Sequence, residues 1–472
     1  MRRGAKLAQA RPKLQPRVLS MWFRAAQRIT VTALGLACLA TCSGRAPTAS
    51  NTRTPPAPPP PEASGGSAVQ VVQVPASMQA SPFNVTRSLT VPAKDIVAVY
   101  ARVRGARFLV VTPDGSLLVA LPDAGTLMLV RPNPNGDPII STFASGFKQP
   151  QGMAFHTSGG TTYLYVAESD QINRFVYHAG DLTAQGRQVL ITGLPDASTP
   201  ELKGAYGHAL KDIALDGNDK LYVSIGSSCN VCTSDQQATP VRGAIYQYDA
   251  DGSNGRLFAQ GIRNAEGLAI LPGTNTLWIA VNNRDNIPYP YNDSTGQYGK
   301  VIQSYVDNHP PDEFIQVRDG GNYGWPYCNP TPDSPSGYDN MPFDRSFDMN
   351  ADGHVDCSAM DMVTKGFQAH SAPLGLAFLQ NTAAPAAYGQ GAVIAFHGSW
   401  NRSTKTGYKV VYVPFSGPAP VAGLPVDLVT GWSDGVCDWG RPVGVAVDGT
   451  GNLFISDDLS GTIYKLSPPA PK

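Results

Sequence analysis

From about residue 100 onward the chain repeats one pattern: a polar residue, a short apolar run, a turn carrying Asp, Gly or Asn, and a second apolar run. Copies read at residues 107–119, at 151–155 with 163–167, at 208–215 with 221–224, at 263–270 with 277–280, at 374–378 with 392–396, and at 442–447 with 453–456. Six copies of a strand pair spaced by tens of residues predict a six-bladed β-propeller, an all-β fold whose radial closure protects strand edges. A further strand at 461–466 and an N-terminal strand from 69–74 or 96–103 would close the ring. The copies spread apart between Arg284 and Pro373, which predicts long loops on the channel face.

The pattern also predicts where chemistry collects. In a propeller the innermost strand of each blade starts at one end of the channel, so residues just ahead of each first apolar run converge on one mouth. In that register His208, Arg263 and Ser371 share a column, with Arg104, Lys148, Gln149 and Arg441 within a residue or two. Cations, an imidazole and amides around one mouth describe a pocket for an anionic ligand. His208 is suited to proton abstraction near neutral pH, and Arg263 to holding a developing oxyanion.

Composition narrows the picture. The 472 residues carry 36 Lys+Arg against 36 Asp+Glu, which argues against a nucleic-acid partner. Gly 48 and Pro 41 make nearly a fifth of the chain, against an average of about 12%, and indicate many turns and few helices. Cationic residues precede a short apolar run at 29–40, shorter than the roughly 20 residues a membrane span needs, so 1–42 reads as a secretory signal, with Met21 as an alternative start. Cys42 follows a lipobox-like sequence and is read either as a lipid anchor or as lying near a simple cleavage site. Residues 43–66, rich in Pro and Ala, read as a tether, and 95–468 as the propeller. The expected location is the periplasm, free or lipid-anchored, where Cys229 and Cys232 would form a local disulfide and Cys328 and Cys357 could form another.

At these residues the chain resembles the PQQ-dependent sugar dehydrogenases, most nearly the L-sorbosone dehydrogenase branch and more distantly soluble PQQ glucose dehydrogenase. The likeness rests on Gly207-His208, Ser227-Ser-Cys-Asn-Val-Cys232, Arg263-Asn264-Ala-Glu-Gly, Asn282-Asn-Arg-Asp285, Gly320-Gly-Asn-Tyr-Gly-Trp-Pro326, His397-Gly-Ser-Trp-Asn-Arg402 and Gly440-Arg-Pro442. The resemblance implies PQQ held with Ca²⁺ over the channel mouth, His208 taking the proton of a sugar hydroxyl while hydride passes to the quinone, and Arg263-Asn264 beside substrate and quinone. It implies a Ca²⁺ loop at Asn283, Arg284 and Asp285 with Asp312 and Glu313 nearby, and it makes Arg402, Arg441, His397 and Lys211 partners of the quinone carboxylates. Lys211 stands where this branch commonly has Arg, and Gln149 and Gln151 both fit loosely as a substrate-side glutamine.

Separately, Asp348, Asn350, Asp352 and Asp356 follow the spacing of a calcium loop, but Ala359 stands where an EF-hand places its bidentate Glu. The alternative is a loop rich in Asx turns. The function expected is an exported quinoprotein that oxidises an aldose or sugar aldehyde and passes electrons to an external acceptor, a quinone or periplasmic cytochrome. The chain contains no Cys-x-x-Cys-His haem site. A Ca²⁺-dependent propeller lactonase, or a non-catalytic surface propeller binding glycans, are the competing functions.

Overall fold

The computed structural model describes residues 66–379 and 388–469; the signal, Met21, Cys42 and nearly all of the tether lie outside the described residues. The apolar runs of the repeat become strands, and several of them are buried on both faces. In Leu277–Val281 all five residues are buried, as are all six of Gly391–Phe396. Such strands fit only between packed layers, and the sheets accordingly stand face to face.

Six antiparallel sheets form the ring. Their innermost strands are Leu109–Val111, Met153–Ser158, Ile213–Leu215, Ala265–Ile270, Pro373–Phe378 and Pro442–Val447, here blades I to VI. Each innermost strand packs against those of its two neighbours, and this closes the channel. The core is accordingly divided into layers between blades: Leu118, Phe143 and Leu164 between I and II, Trp278, Phe314 and Phe396 between IV and V, Val119, Val130 and Phe454 between VI and I.

The ring closes with strand Ile96–Arg102, which pairs antiparallel with Thr462–Ser467 as the fourth strand of blade VI. Of the two N-terminal candidates, this is the one used. Residues 67–71 instead pair with Ser88–Pro92 in a separate hairpin.

The stretch expected to be long loops is more structured than that. It supplies Asp312–Gln316 and Val363–Phe367, the third and fourth strands of blade IV, with Asp339–Met341 beyond them. It also adds Gly321–Asn322 in parallel to blade III and the hairpin Cys328–Pro330 with Phe343–Arg345. These strands carry little periodic signal because they are short and alternate with Asp, Pro and Gly. One four-residue helix, Gln303–Val306, lies in the same stretch. Both disulfides, Cys229–Cys232 and Cys328–Cys357, are formed.

Glycine lets the inner strands approach. A Cβ on Gly267 of blade IV would stand 2.2 Å from the Leu374 carbonyl of blade V, and one on Gly444 of blade VI 2.6 Å from the Arg107 carbonyl beside blade I. Both glycines sit where the inner strand bulges, between Ala265 and Gly267 and between Pro442 and Val445. The bulge re-aims the residues ahead of it, among them Arg263, Asn264 and Arg441.

Candidate active site

A cavity of about 220 Å³ opens at the channel mouth, lined by His208, Arg263, Asn264, Asn282, Asn283, Asp285, Asp312, His370, Ala372, His397, Gly398, Trp400 and Arg441. Of the column His208, Arg263 and Ser371, the first two reach it, as does Arg441 from the flanking set. Ser371 turns away to donate to the Gln368 carbonyl at 2.7 Å, while its neighbours His370 and Ala372 face the cavity from left-handed backbone, φ +64° and +55°. Arg104, Lys148 and Gln149 do not line it; Lys148 pairs with Asp170 and Asp196 at 2.8 and 2.6 Å.

His208 has a defined tautomer. Its Nδ1 lies 2.9 Å from both the carbonyl and the hydroxyl of Ser227, and that hydroxyl donates to the Cys229 carbonyl at 2.8 Å. A carbonyl only accepts and the serine proton is already committed, so Nδ1 carries the hydrogen and Nε2 keeps its lone pair. Burial, followed by the charge of Arg263, lowers the imidazole pKa to about 3. The ring is therefore a neutral base at any pH near seven.

Arg263 is almost fully buried, and burial draws its pKa down to about 10, so it remains a cation. Its Nε donates to the Asn230 carbonyl at 3.2 Å, Nη2 to Asn230 Oδ1 at 3.0 Å and Nη1 to the Asn282 carbonyl at 3.3 Å, with Asp285 at 3.6 Å. The guanidinium fork has N–H groups to spare beyond these three bonds, available to a ligand in the cavity. Beside it, Asn264 Nδ2 donates to Glu266 at 3.1 Å, while its buried Oδ1 has no partner. An unsatisfied oxygen in a cavity wall is an acceptor awaiting a cation or donor.

The opposite wall is held by a polar belt. His397 Nε2 bonds Asp458 at 2.9 Å, Arg107 bonds the same carboxylate at 2.8 Å and Gln151 at 3.2 Å, and Gln151 donates to Glu266 at 2.7 Å. Burial lowers the His397 pKa to about 4, against the opposing pull of Asp458. Arg441 donates to the carbonyls of His397 and Gly398, both at 3.0 Å, with its guanidinium over the Tyr408 ring. Trp400, 73% exposed, forms an aromatic rim.

Of the other residues assigned to cofactor or metal by resemblance, Lys211, Gln151, Arg402, Arg284 and Glu313 point elsewhere, while Asn283, Asp285 and Asp312 line the cavity. Lys211 is fully buried and donates to the carbonyls of Pro195 and Ala209 at 2.8 and 3.0 Å. Gln151 belongs to the belt rather than to the cavity lining. Arg402 spends its donors on the carbonyls of Asp307, Ala369 and Thr404. Arg284 forks onto Asp348 at 3.0 and 2.7 Å. Asp312 lines the cavity and caps the amides of Asn283 and Ala372, both at 2.9 Å, with burial raising its pKa to about 7. Glu313, next along the strand, faces the other way and accepts from Asn283 Nδ2 at 2.6 Å.

The 348–356 loop closes on itself: Asn350 exchanges bonds with Val355, Asp352 takes His354 and Asp356 caps Ser358, leaving Asp348 to Arg284. Its carboxylates are turned to protein donors. Among the described residues no group of three His, Cys, Asp or Glu side chains could hold a metal, so any cation in the cavity would rely on amide and carbonyl oxygens as well. The sequence reading missed His370, Asn282 and Trp400. Asn282 and Trp400 lie inside motifs it used, and His370 is one residue from the column it identified.

Fold and site together define a six-bladed propeller with a base and a guanidinium facing one cavity at the channel mouth. The chain belongs to the TrAA12-like family, whose sequence model matches residues 91–469. It is 26% identical over 358 residues to a pyrroloquinoline quinone-dependent pyranose dehydrogenase of Coprinopsis cinerea, covering 66% of this chain but only 45% of that enzyme. It is 23% identical over 407 residues to a pyrroloquinoline quinone-dependent sugar dehydrogenase of Hypocrea jecorina, covering 77% of this chain and 85% of that protein. The solved PQQ domain of the Coprinopsis pyranose dehydrogenase superposes with a TM-score of 0.64 at 22% identity, covering 80% of this chain and 97% of that domain, a likeness of fold.

Proposed function

We propose that the chain is an exported quinoprotein oxidoreductase that oxidises an aldose or sugar aldehyde, with PQQ and Ca²⁺ in the cavity and electrons passed to an external quinone or cytochrome. The observation that carries this reading is the proton-free Nε2 of His208 in one cavity with the Arg263 guanidinium. The names of the Coprinopsis and Hypocrea relatives support it. Export, to the periplasm or to a lipid anchor at Cys42, is supported by the cationic and apolar leader of the sequence.

The residues present fit both groups. Arg263 and Arg441 supply cations for a polycarboxylate, Trp400 a flat aromatic face, and the unpartnered Asn264 Oδ1 with Asp285 and Asp312 oxygen ligands for a hard cation. Bound PQQ would supply the two-electron acceptor and Ca²⁺ would polarise it. The protein's part is defined by its own atoms. His208 Nε2 takes the proton of the sugar hydroxyl or hydrated aldehyde, and Ser227 holds the ring so that the lone pair faces the cavity. Arg263 stabilises negative charge that develops on the oxygen.

The test is titration of metal-stripped protein with PQQ and Ca²⁺, followed through quinone absorbance, and then dye reduction on an aldose panel. Ca²⁺-dependent binding with sugar-driven reduction is expected, and His208→Ala should keep the binding while lowering kcat by about 10²–10⁴-fold. Absence of PQQ binding would overturn the reading and turn the search to lactone hydrolysis or glycan binding.

A further inference from the structure

The turn from Ser227 to Cys232 touches both groups of the proposed chemistry. On one side Ser227 fixes His208, and its hydroxyl is itself anchored on the Cys229 carbonyl at 2.8 Å. On the other side stands Asn230, inside the four-residue loop that the Cys229–Cys232 disulfide closes. Asn230 Oδ1 accepts from Arg263 Nη2 at 3.0 Å and from the Asp285 amide at 2.8 Å, and its Nδ2 donates to the Asp285 carbonyl at 3.0 Å. Its backbone carbonyl accepts from Arg263 Nε at 3.2 Å and from the buried Trp325 indole at 3.3 Å.

One residue therefore grips one edge of the guanidinium at both of its donors, Nε and Nη2, and ties it to the backbone of Asp285. The loop is braced from beneath, where buried Asp235 accepts from the amide and hydroxyl of Ser228, both at 2.7 Å. A free arginine side chain samples many rotamers, and a misplaced oxyanion donor loses most of its value. We propose that Asn230 is a positioning residue, held by the Cys229–Cys232 loop, that fixes the Arg263 guanidinium against the cavity. The inference rests on the dehydrogenase reading for its catalytic consequence, but its geometry concerns the protein alone.

The test compares Asn230→Ala, Arg263→Ala and their double variant in protein loaded with PQQ and Ca²⁺. Asn230→Ala is expected to lower kcat by about tenfold or more with sugar KM within about twofold, since it acts on geometry rather than on ground-state binding. The double variant should lose clearly less than the product of the two single losses, because the part of Asn230 exerted through Arg263 has nothing left to position once the guanidinium is gone. Cys229→Ser/Cys232→Ser, which opens the loop, should lower kcat in the same direction.

A second readout needs neither cofactor nor sugar. In ¹⁵N-arginine-labelled apoprotein the Arg263 Nε–H, assigned by its loss in Arg263→Ala, should exchange with solvent about tenfold faster in Asn230→Ala. Wild-type turnover by Asn230→Ala, additive losses in the double variant, or unchanged Nε–H exchange would each overturn the proposal. If the wild-type protein oxidises no sugar, the function reading falls, while the exchange comparison still supports or overturns the role of Asn230.

Discussion

At the scale of single residues the site is governed by what keeps His208 unprotonated, burial first and the Arg263 charge second. Burial disfavours imidazolium and Arg263 disfavours it further, which together bring its pKa to about 3. The base works when deprotonated, so its contribution is lost only as pH falls through that value. Removing the guanidinium removes one of the two depressing influences, and the His208 pKa must rise. Arg263→Ala should therefore move the acid limb of the kcat profile to higher pH, beyond simply lowering the rate, and a profile of unchanged shape would show that the two groups do not feel each other. His208 and Arg263 were legible in the sequence because the repeat register alone aligns them at the channel mouth. Lys211 was misleading because spacing from His208 does not reveal direction: its ammonium turns to the carbonyls of Pro195 and Ala209. Asn230 lies inside a motif the sequence offers, but neither its role nor that of Asp458 was legible, since each acts through a partner far away in sequence.

At the scale of elements the inner strands set both packing and chemistry. Gly267 occupies the bulge that aims Arg263 and Asn264, and a Cβ there would meet the Leu374 carbonyl at 2.2 Å and Leu376 Cβ at 2.9 Å. Neither contact can give cheaply, because the carbonyl belongs to the facing inner strand. Gly267→Ala is expected to destabilise the fold by about 1–3 kcal/mol, read as a lower thermal midpoint, and to lower kcat because the strand and its leading residues shift together. A variant with wild-type stability would mean the blades tolerate more separation than this geometry shows. The inner strands of the blades were visible as apolar runs because most of them, such as Leu277–Val281 and Gly391–Phe396, are buried on both faces. The outer strands were not: Gln185–Thr192 is exposed over most of its length, and its sequence reads as a polar connection.

At the scale of the whole molecule the propeller is a ring whose ends must meet. Blade VI takes three strands from the C-terminal end and its fourth, Ile96–Arg102, from the N-terminal end. That strand buries Val97, Val99 and Ala101 and pairs along Thr462–Ser467, so it covers an edge otherwise open to another chain. Because each sheet is sandwiched between two others, a loss at the seam is felt by both neighbours. Val97 and Val99 pack in the same layer as Val393 and Val410 of blade V, and Ala101 in the layer shared with blade I. A chain beginning at Val103 should consequently unfold at lower temperature and aggregate on concentration, compared with one beginning at Gly66, as followed by calorimetry and light scattering. The cavity lies at the channel mouth where all the blades converge, with Arg441 contributed by the seam blade itself. Loss of the closing strand should thus reach quinone binding as well as stability. Intact binding in a chain beginning at Val103 would show that the other five blades hold the site without the seam.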